Sequence, residues 1–194
     1  MSIAERHYRI LLVSSEDDFI KEVGSFLQDD CLQQDVSRNA SDARSRLLEN
    51  PYDIVIINAP LNDESGSRLC ADISRSNGTI VAVFAEGETY DDIYSKASAR
   101  GVFVLGKPAS KTMTAQTLFM MLCSRERLRT LEKKIDKAES KLDEFRVVNK
   151  AKWLLIENEE MSEADAHRYV EKSAMDAGIT KRLAAQIIIN SYSD

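Results

Sequence analysis

The stretch between Pro108 and Gly178 contains neither glycine nor proline, although the chain of 194 residues has seven glycines and three prolines. Glycine and proline are the residues that most strongly interrupt helices. Their absence over so long a stretch predicts that the second half of the chain is mainly helical. It also predicts that the helix beginning after Pro108 is a long one.

A heptad pattern runs through the first part of this helical stretch. Counting in sevens gives a positions at Met121, Leu128, Ile135, Leu142 and Asn149 and d positions at Ser124, Leu131, Ala138, Phe145 and Lys152. We call its apolar part, formed by Leu128, Leu131, Ile135, Ala138, Leu142 and Phe145, the heptad seam. Three heptads are the minimum that predicts a coiled coil, and Arg127 and Glu132 would attract across a parallel dimer. We therefore expect a homodimer; the alternative is a long helix whose apolar stripe packs on its own domain.

The first 120 residues alternate between short apolar runs and amphipathic helical patterns. Strands are predicted at residues 9–13, 33–37, 53–57, 79–84 and 102–105, and a helical pattern follows each of them. This alternation predicts an α/β domain with a doubly wound, five-stranded parallel sheet. In such sheets, functional sites lie at the carboxyl ends of the strands.

The distribution of charge indicates a domain boundary near residue 120. Residues 1–120 contain 12 Lys and Arg against 18 Asp and Glu, whereas residues 121–194 contain 14 of each. We expect an α/β domain at 1–120, a coiled-coil helix at 121–148 and a three-helix domain at 146–194. The three cysteines are widely spaced, which indicates free thiols in a reducing compartment. No signal peptide or membrane-length apolar run is recognisable, so we expect a cytoplasmic protein without membrane contact.

The carboxyl ends of the predicted strands carry a distinctive set of residues: Ser14 and Ser15 after the first, Asn58 after the third, Ala85 after the fourth and Lys107 after the fifth. Gly66 lies eight residues after Asn58, and Pro108 follows Lys107. With these positions the domain resembles the flavodoxin-like receiver domain of two-component response regulators. In that family, two acidic residues after the first strand hold magnesium. An aspartate after the third strand accepts a phosphoryl group, and Ser or Thr ends the fourth.

The sequence departs from the receiver pattern at its chemical positions. An amide such as Asn58 cannot form an acyl phosphate, and serines in place of the acidic pair remove the carboxylates that magnesium prefers. We expect a receiver-like fold that has lost phosphotransfer, uses no cofactor and presents a surface for protein contacts. Lys107 is either hydrogen-bonded to Asn58 or part of a residual anion site. Asp63 and Glu64 are conceivable substitute acceptors, but solvated loop acids fit them better.

The last fifty residues predict three helices. The first continues the coiled-coil helix to Glu157, Ser162 and Thr180 cap the next two, and Gly178 ends the second. Met175 is expected in the core, and Leu183, Ala184, Ile187 and Ile188 are expected to face inward.

Four short motifs in this region carry a second resemblance. Residues 149–155 (NKAKWLL), 161–169 (MSEADAHRY), 174–176 (AMD) and 184–188 (AAQII) resemble the ANTAR domain, the RNA-binding output module of response-regulator antiterminators. The resemblance implies dimers that bind paired short hairpins in leader RNA and prevent a terminator from forming. Trp153 replaces a small residue of the family, and Lys181 replaces an apolar one. Trp153 is either a core or partner contact or an exposed surface for base stacking.

The resemblance directs attention to the basic side chains of these helices. Proteins bind RNA phosphates through Lys and Arg, and they bind loop bases by stacking and edge contacts. The RNA-binding candidates are Lys150 and Lys152 on the first helix, Arg168 and Lys172 on the second, and Lys181 and Arg182 at the start of the third. Residues 146–190 contain seven basic and seven acidic residues, whereas binding mainly by charge predicts a basic excess. Each candidate is therefore also readily interpreted as an ordinary solvated side chain.

These patterns favour an RNA-binding transcription antitermination regulator over an enzyme. It would act as a dimer on hairpins in leader RNA, under the control of a sensor or other regulatory protein instead of aspartyl phosphorylation. The alternative is a protein-interaction adaptor that no longer binds RNA, which the balanced charge favours. A DNA-binding regulator fits less well, because no basic recognition helix is recognisable. The sequence pattern shows no nucleophile–base pair and no metal-ligand cluster.

Overall fold

The computed structural model describes residues 6–75 and 78–192. The chain forms two compact units, Met1–Thr130 and Leu131–Asp194. Among the described residues, no helix is both long enough and apolar enough to cross a bilayer.

The first unit is an α/β domain in which strands and helices alternate along the chain. Its strands are β1 Tyr8–Val13, β2 Leu32–Ser37, β3 Ile54–Asn58, β4 Ile80–Ala85 and β5 Phe103–Gly106. Its helices are α1 Asp17–Ser25, α2 Ala40–Glu49, α3 Ser67–Ile73, α4 Gly87–Ala97 and the first part of α5 Lys111–Glu159. The strands are all parallel, in the order β2-β1-β3-β4-β5. The predicted doubly wound, five-stranded sheet is therefore confirmed.

The sheet is covered by helices on both faces, which is why its central strands are apolar at consecutive positions. All five residues of β3 are buried. Val55 and Ile57 pack toward one layer of helices, and Ile54 and Ile56 pack toward the other, because side chains alternate along a strand. The helix residues of these two layers include Ala43, Leu69, Cys70 and Ile93 on one face and Val23, Leu27, Leu118 and Met121 on the other.

Helix α5 is held against the amino-terminal edge of the sheet by a network of ion pairs. Oδ1 of Asp53 accepts hydrogen bonds from Nε of Arg125 at 2.9 Å and from Nη2 of Arg129 at 2.7 Å. One turn of α5 also supplies Glu126, which accepts hydrogen bonds from the hydroxyl of Tyr8 and from Arg129, both at 2.9 Å. Burial, together with the Glu126 carboxylate, raises the pKa of Tyr8 to about 12, so the phenol stays protonated and remains a donor.

The second unit contains the rest of α5 and two shorter helices, α6 Glu163–Ala177 and α7 Lys181–Ser191. Oγ of Ser162 accepts a hydrogen bond from the backbone N–H of Asp165, and Oγ1 of Thr180 accepts one from that of Leu183. Gly178 ends α6 in the left-handed conformation, at a φ of 62°. The three predicted helix ends are thus present. The core of this unit consists of Ala151, Leu155, Ala166, Val170, Ala185, Ile188 and Ile189.

Three side chains that were predicted to be interior lie at the surface instead. Met175 is 80% exposed, and Leu183 and Ile187 are about half exposed. On α6 the buried positions are Ala166, Val170 and Ala174, and Met175 lies outside that row; on α7 the buried face is filled by Ala184, Ala185, Ile188 and Ile189. Leu183 and Ile187, one turn apart, lie on the other side of that helix. The prediction of an inward orientation is confirmed for Ala184 and Ile188 and wrong for these three residues.

The heptad seam extends across the division between the two compact units. Its first residue, Leu128, is partly buried against the sheet core of the first unit. The later apolar residues of the seam belong to the second unit and are exposed, with Ile135 at 56% and Phe145 at 64%. Within one chain, therefore, most of the heptad seam has no apolar covering.

Because Asp53 binds two arginines of α5, we expect its replacement to lower the free energy of unfolding markedly. Asp53→Ala leaves two arginines of α5 without their shared carboxylate in a mostly buried setting, and breaking such a pair costs about 3 kcal/mol. We expect urea unfolding, followed by circular dichroism, to shift to clearly lower urea concentration. Asp92→Ala removes an exposed pair with Lys96 and should leave the transition nearly unchanged. Equal transitions for the two variants would contradict a structural role for the Asp53 ion pairs.

Candidate functional sites

The first candidate site lies at the carboxyl edge of the sheet. Strands β1 and β3 pair with Val13 opposite Ile57, so the next residues, Ser14 and Asn58, are neighbours. Nδ2 of Asn58 donates a hydrogen bond to Oγ of Ser14 at 3.0 Å, and both residues are buried. Nζ of Lys107 donates to Oδ1 of Asn58, also at 3.0 Å. The hydrogen bond that we expected between Lys107 and Asn58 is therefore present, and it ends a chain of three polar side chains.

The hydroxyl of Ser14 is fully engaged by this arrangement. Besides the bond from Asn58, it accepts one from the backbone N–H of Glu16 at 3.0 Å and donates to the carbonyl of Glu16 at 3.3 Å. Ser15 is partly buried beside it, and Ala85 is fully buried and offers only a methyl group. Ser14, Asn58 and Ala85 thus contribute only neutral groups beside the cation of Lys107, while the adjoining cavity that Lys107 lines also carries acids, among them Glu16, Glu22 and Glu86.

This set of residues does not fit a magnesium ion. Magnesium takes oxygen ligands, usually including one or two carboxylates. The acids nearest in sequence, Glu16 and Asp17, are exposed, and Oδ1 of Asp17 is bound by Nη2 of Arg38 at 2.6 Å. Over residues 6–75 and 78–192, no group of three His, Cys, Asp or Glu side chains is arranged to hold a metal ion.

The two acids of the loop after β3 are hydrogen-bonded to the protein: Asp63 is exposed, as expected for a solvated loop acid, and Glu64 is partly buried. The carboxylate of Asp63 accepts hydrogen bonds from the first two backbone N–H groups of α2, at 2.9 and 3.0 Å. Glu64 accepts one from the backbone N–H of Leu69 at 2.7 Å and one from Arg44 at 2.9 Å. The hydrogen bonds from the start of α2 hold the pKa of Asp63 below its usual value. Both acids stabilise local structure.

The second candidate site comprises the six basic residues of the second unit. Four of them form ion pairs within the unit: Lys152 with Glu163 at 3.1 Å, Arg168 with Asp165 at 3.5 Å, Arg182 with Asp143 at 2.7 Å, and Lys181 with Glu171. The hydrogen bond from Lys181 lowers the pKa of Glu171, so this acid stays charged. Lys150 and Lys172 are exposed, and no ion pair joins either of them to another described residue. Of the six candidates, therefore, two have no ion pair among the described residues.

Some of the six basic residues lie at or beside the starts of α6 and α7, and others lie along the exposed surface of a helix. The Lys152–Glu163 pair joins α5 to the first residue of α6. Lys181 begins α7, where the free N–H groups of a helix start favour anions. Arg168 and Lys172 lie one turn apart on α6, and both are exposed. The six residues thus lie on all three helices and do not form one unpaired basic patch.

The second unit exposes a set of apolar side chains: Trp153, for which the sequence left exposure open, and Tyr169, Met175, Leu183 and Ile187, which sequence reasoning missed. Trp153 is 70% exposed, so of the two interpretations of this residue, burial in the core of its own chain is excluded. The sequence feature that could have predicted this exposure is the set of alanines at the buried positions of α6 and α7. Alanines allow helices to approach closely, which leaves larger neighbours outside.

Comparison with known proteins shows that part of the second unit matches a known protein family. Residues 136–189 match the family described as the ANTAR domain. A part of the chain is also 34% identical over 67 residues to the adventurous-gliding motility protein Z of Myxococcus xanthus (strain DK1622). That similarity covers 34% of this chain but only 5% of the relative, so this chain spans a small part of its length.

The α/β unit is similar to solved receiver domains. One is the signal receiver domain of an HD domain-containing protein from Pseudomonas fluorescens Pf-5, with a TM-score of 0.57 and 24% identity over 64% of this chain and 93% of that one. Another is a CheY-like response regulator receiver domain protein from Methanospirillum hungatei JF-1, with a TM-score of 0.56 and 13% identity over 62% and 98%. At these identities the similarity concerns the fold. A receiver-type fold followed by an ANTAR domain is the arrangement of an ANTAR response regulator.

Because the carboxylate of Asp63 accepts hydrogen bonds from the start of α2, replacing Asp63 should change the stability of the chain in a pH-dependent way. Asp63→Ala should destabilise the chain by about 1 kcal/mol at neutral pH, the usual effect of a lost helix cap. The folded pKa of Asp63 is lowered, so its contribution is complete above the ordinary value of 3.8 and is lost as the pH falls below it. Urea unfolding at pH 7 and at successively lower pH should show the two proteins converging. Asp30→Ala, at an exposed turn, is the control; a difference that grew toward low pH would contradict this role.

Proposed function

We propose that this chain is a dimeric RNA-binding antitermination regulator that binds stem-loops in leader RNA. The observation that carries this proposal is the match of residues 136–189 to the ANTAR domain, a family known for RNA binding and antitermination. The receiver-type fold that precedes it agrees with a regulatory protein whose output is the ANTAR domain. The regulator would act in the cytoplasm, by binding and not by catalysis.

Dimerisation through the heptad seam is the second element of the proposal. Leu131, Ile135, Leu142 and Phe145 are each at least two-fifths exposed in the single chain and recur at heptad spacing on α5. Exposed apolar side chains in such a row mark an interaction surface, and two copies of the row would bury each other as a parallel coiled coil. A dimer would present two ANTAR domains to one RNA, which suits paired hairpins.

Control by means other than aspartyl phosphorylation is the third element. Phosphorylation of a receiver needs a carboxylate nucleophile, and the amide of Asn58 is bonded to Ser14 and Lys107. The nearby acids Asp63 and Glu64 are committed to helix starts and to Arg44. The signal would therefore reach this chain through contact with a sensor or other regulatory protein.

Phosphoryl transfer to this chain can be tested directly. Incubation with acetyl phosphate and magnesium should leave the intact mass unchanged, because the amide of Asn58 stands at the acceptor position and cannot form an acyl phosphate. A receiver domain with the usual aspartate, treated in parallel, should gain the mass of one phosphoryl group. A stable gain of that mass by this chain would contradict the third element of the proposal and leave RNA binding untouched.

RNA binding and its residues can be tested with a pool of RNAs that each carry two adjacent stem-loops with randomised short loops. We expect mobility-shift selection to recover binders whose affinity falls steeply with salt, because phosphate contacts release counterions. Lys181→Ala and Arg182→Ala should each weaken binding and reduce the salt slope by about one. Lys96→Ala removes an exposed, ion-paired lysine of the first unit and is the matched control.

A protein-interaction adaptor is the second candidate function. The observation that favours it is the pairing of four of the six basic candidates with acids of the same unit, which lowers the positive field available to RNA. Under this alternative the selection would recover no RNA above background, and the salt dependence would be absent. Recovery of salt-sensitive binders that lose affinity with Lys181→Ala would exclude the adaptor.

A further inference from the structure

The second unit has a cleft beside Trp153. The cleft has a volume of about 290 Å³ and lies between α5 and the start of α6. Its walls are formed by Asn149, Lys152, Trp153 and Ile156 of α5 and Glu163 of α6. This volume is at the small end of the range for ligand pockets, which suits one flat ring system better than a longer ligand.

We propose that this cleft takes a single unpaired nucleobase of the bound RNA, stacked on the indole of Trp153. The inference rests on the RNA-binding function proposed above and names the residue that would hold a loop base. Bases that leave a hairpin loop are bound by stacking on aromatic side chains and by hydrogen bonds to their edges. Trp153 offers an aromatic face of which most is open to solvent.

The edges of the cleft are polar, as the edge of a base requires. The amide of Asn149 offers both a donor and an acceptor. Oε1 of Glu163 accepts a hydrogen bond from Lys152, and a carboxylate has acceptor capacity beyond one such bond. A carboxylate at the edge of the site favours bases with an exocyclic amino group, which offers two N–H donors, over uracil, whose base edge offers only the single imino N3–H. The exposed Lys150, next to Asn149 in the chain, is available for a neighbouring phosphate.

A second copy of the chain is the competing occupant, because the cleft lies on the continuation of the heptad pattern. Asn149 and Ile156 are at a positions, and Lys152 is at a d position. Lys152, however, is only 15% exposed and is bound to Glu163 at 3.1 Å, so α6 of the same chain already occupies the space beside this d position. The heptads are also polar here, with Asn and Lys where the seam has Leu and Phe. The observations therefore favour a base over a partner helix.

The test uses the fact that Trp153 is the only tryptophan of the chain. RNA selected from the two-stem-loop pool is titrated into the 194-residue chain while tryptophan emission and the mobility shift are followed in parallel. We expect emission to be quenched by stacking, with the same dissociation constant as the shift. Trp153→Ala should weaken binding roughly tenfold, and Trp153→Phe should weaken it less, because a smaller ring still stacks. Leu48→Ala, at a highly exposed apolar position of the first unit, should have no effect.

The edge contacts are tested with RNA in which each loop base is replaced in turn by uracil. One position should lose affinity on replacement, and Glu163→Gln should reduce that preference. Binding without quenching, together with unchanged affinity of Trp153→Ala, would overturn this inference and leave RNA binding in place. Emission that changes with protein concentration in the absence of RNA would also overturn it, by showing that a partner chain covers the indole. Absence of any shift would overturn the proposed function itself.

Discussion

Asp53 binds two arginines of one helix, and this contact determines which part of α5 belongs to the α/β unit. Arg125 and Arg129 are one turn apart and both reach Oδ1 of Asp53 at the amino-terminal edge of the sheet. Up to this turn one row of apolar side chains of α5, which includes Leu118 and Met121, packs on the sheet. Beyond it, from Leu131 to Phe145, the apolar heptad residues of α5 are exposed in the described part of the chain. The first part of α5 thus completes the core of the α/β unit, and the exposed heptad seam could form a second core with a partner helix.

Because α5 belongs to both compact units, its two parts lie in surroundings of different kinds. The α/β unit is complete in itself, with a closed polar network of Ser14, Asn58 and Lys107 where a receiver has its reactive pocket. The second unit has a small core, much of it alanine, and a surface that carries large apolar side chains. Small helical units of this kind gain much of their stability from association. A seam that pairs two chains would therefore stabilise both ANTAR domains and hold them together on one RNA.

Much of the fold could be predicted from the sequence, because strand and helix periodicities are strong where elements are buried. The apolar run of β3, the caps at Ser162 and Thr180 and the helix end at Gly178 all have direct local causes. The pairing of Lys107 with Asn58 followed from the resemblance to receivers, because the two residues stand at the carboxyl ends of β5 and β3, the strands on either side of β4. These features depend on residues close in sequence or on a familiar topology.

The remaining features depend on contacts that sequence periodicity does not reveal. Met175 and Ile187 are exposed because neighbouring alanines take the buried positions of short helices. Asp63 and Glu64 look like ordinary loop acids until the start of α2 and Arg44 are placed beside them. The ion pairs of Lys181 and Arg182 likewise join residues of different helices. For the candidate RNA interface this matters most, because four of its cations are paired, so under the proposal stacking and a second copy would have to supply much of the affinity.

The central claim is that the heptad seam joins two ANTAR domains so that each binds one stem-loop of the same RNA. The most direct measurement compares affinity for a selected two-stem-loop RNA with affinity for either stem-loop alone, at fixed salt. The account predicts an advantage of about a hundredfold or more for the paired RNA, because the second contact becomes intramolecular. Ile135→Lys together with Leu142→Lys should remove that advantage, and sedimentation equilibrium should show the variant as a monomer. Equal affinity for single and paired stem-loops, or an unaltered chain that sediments as a monomer at tens of micromolar, would contradict the account.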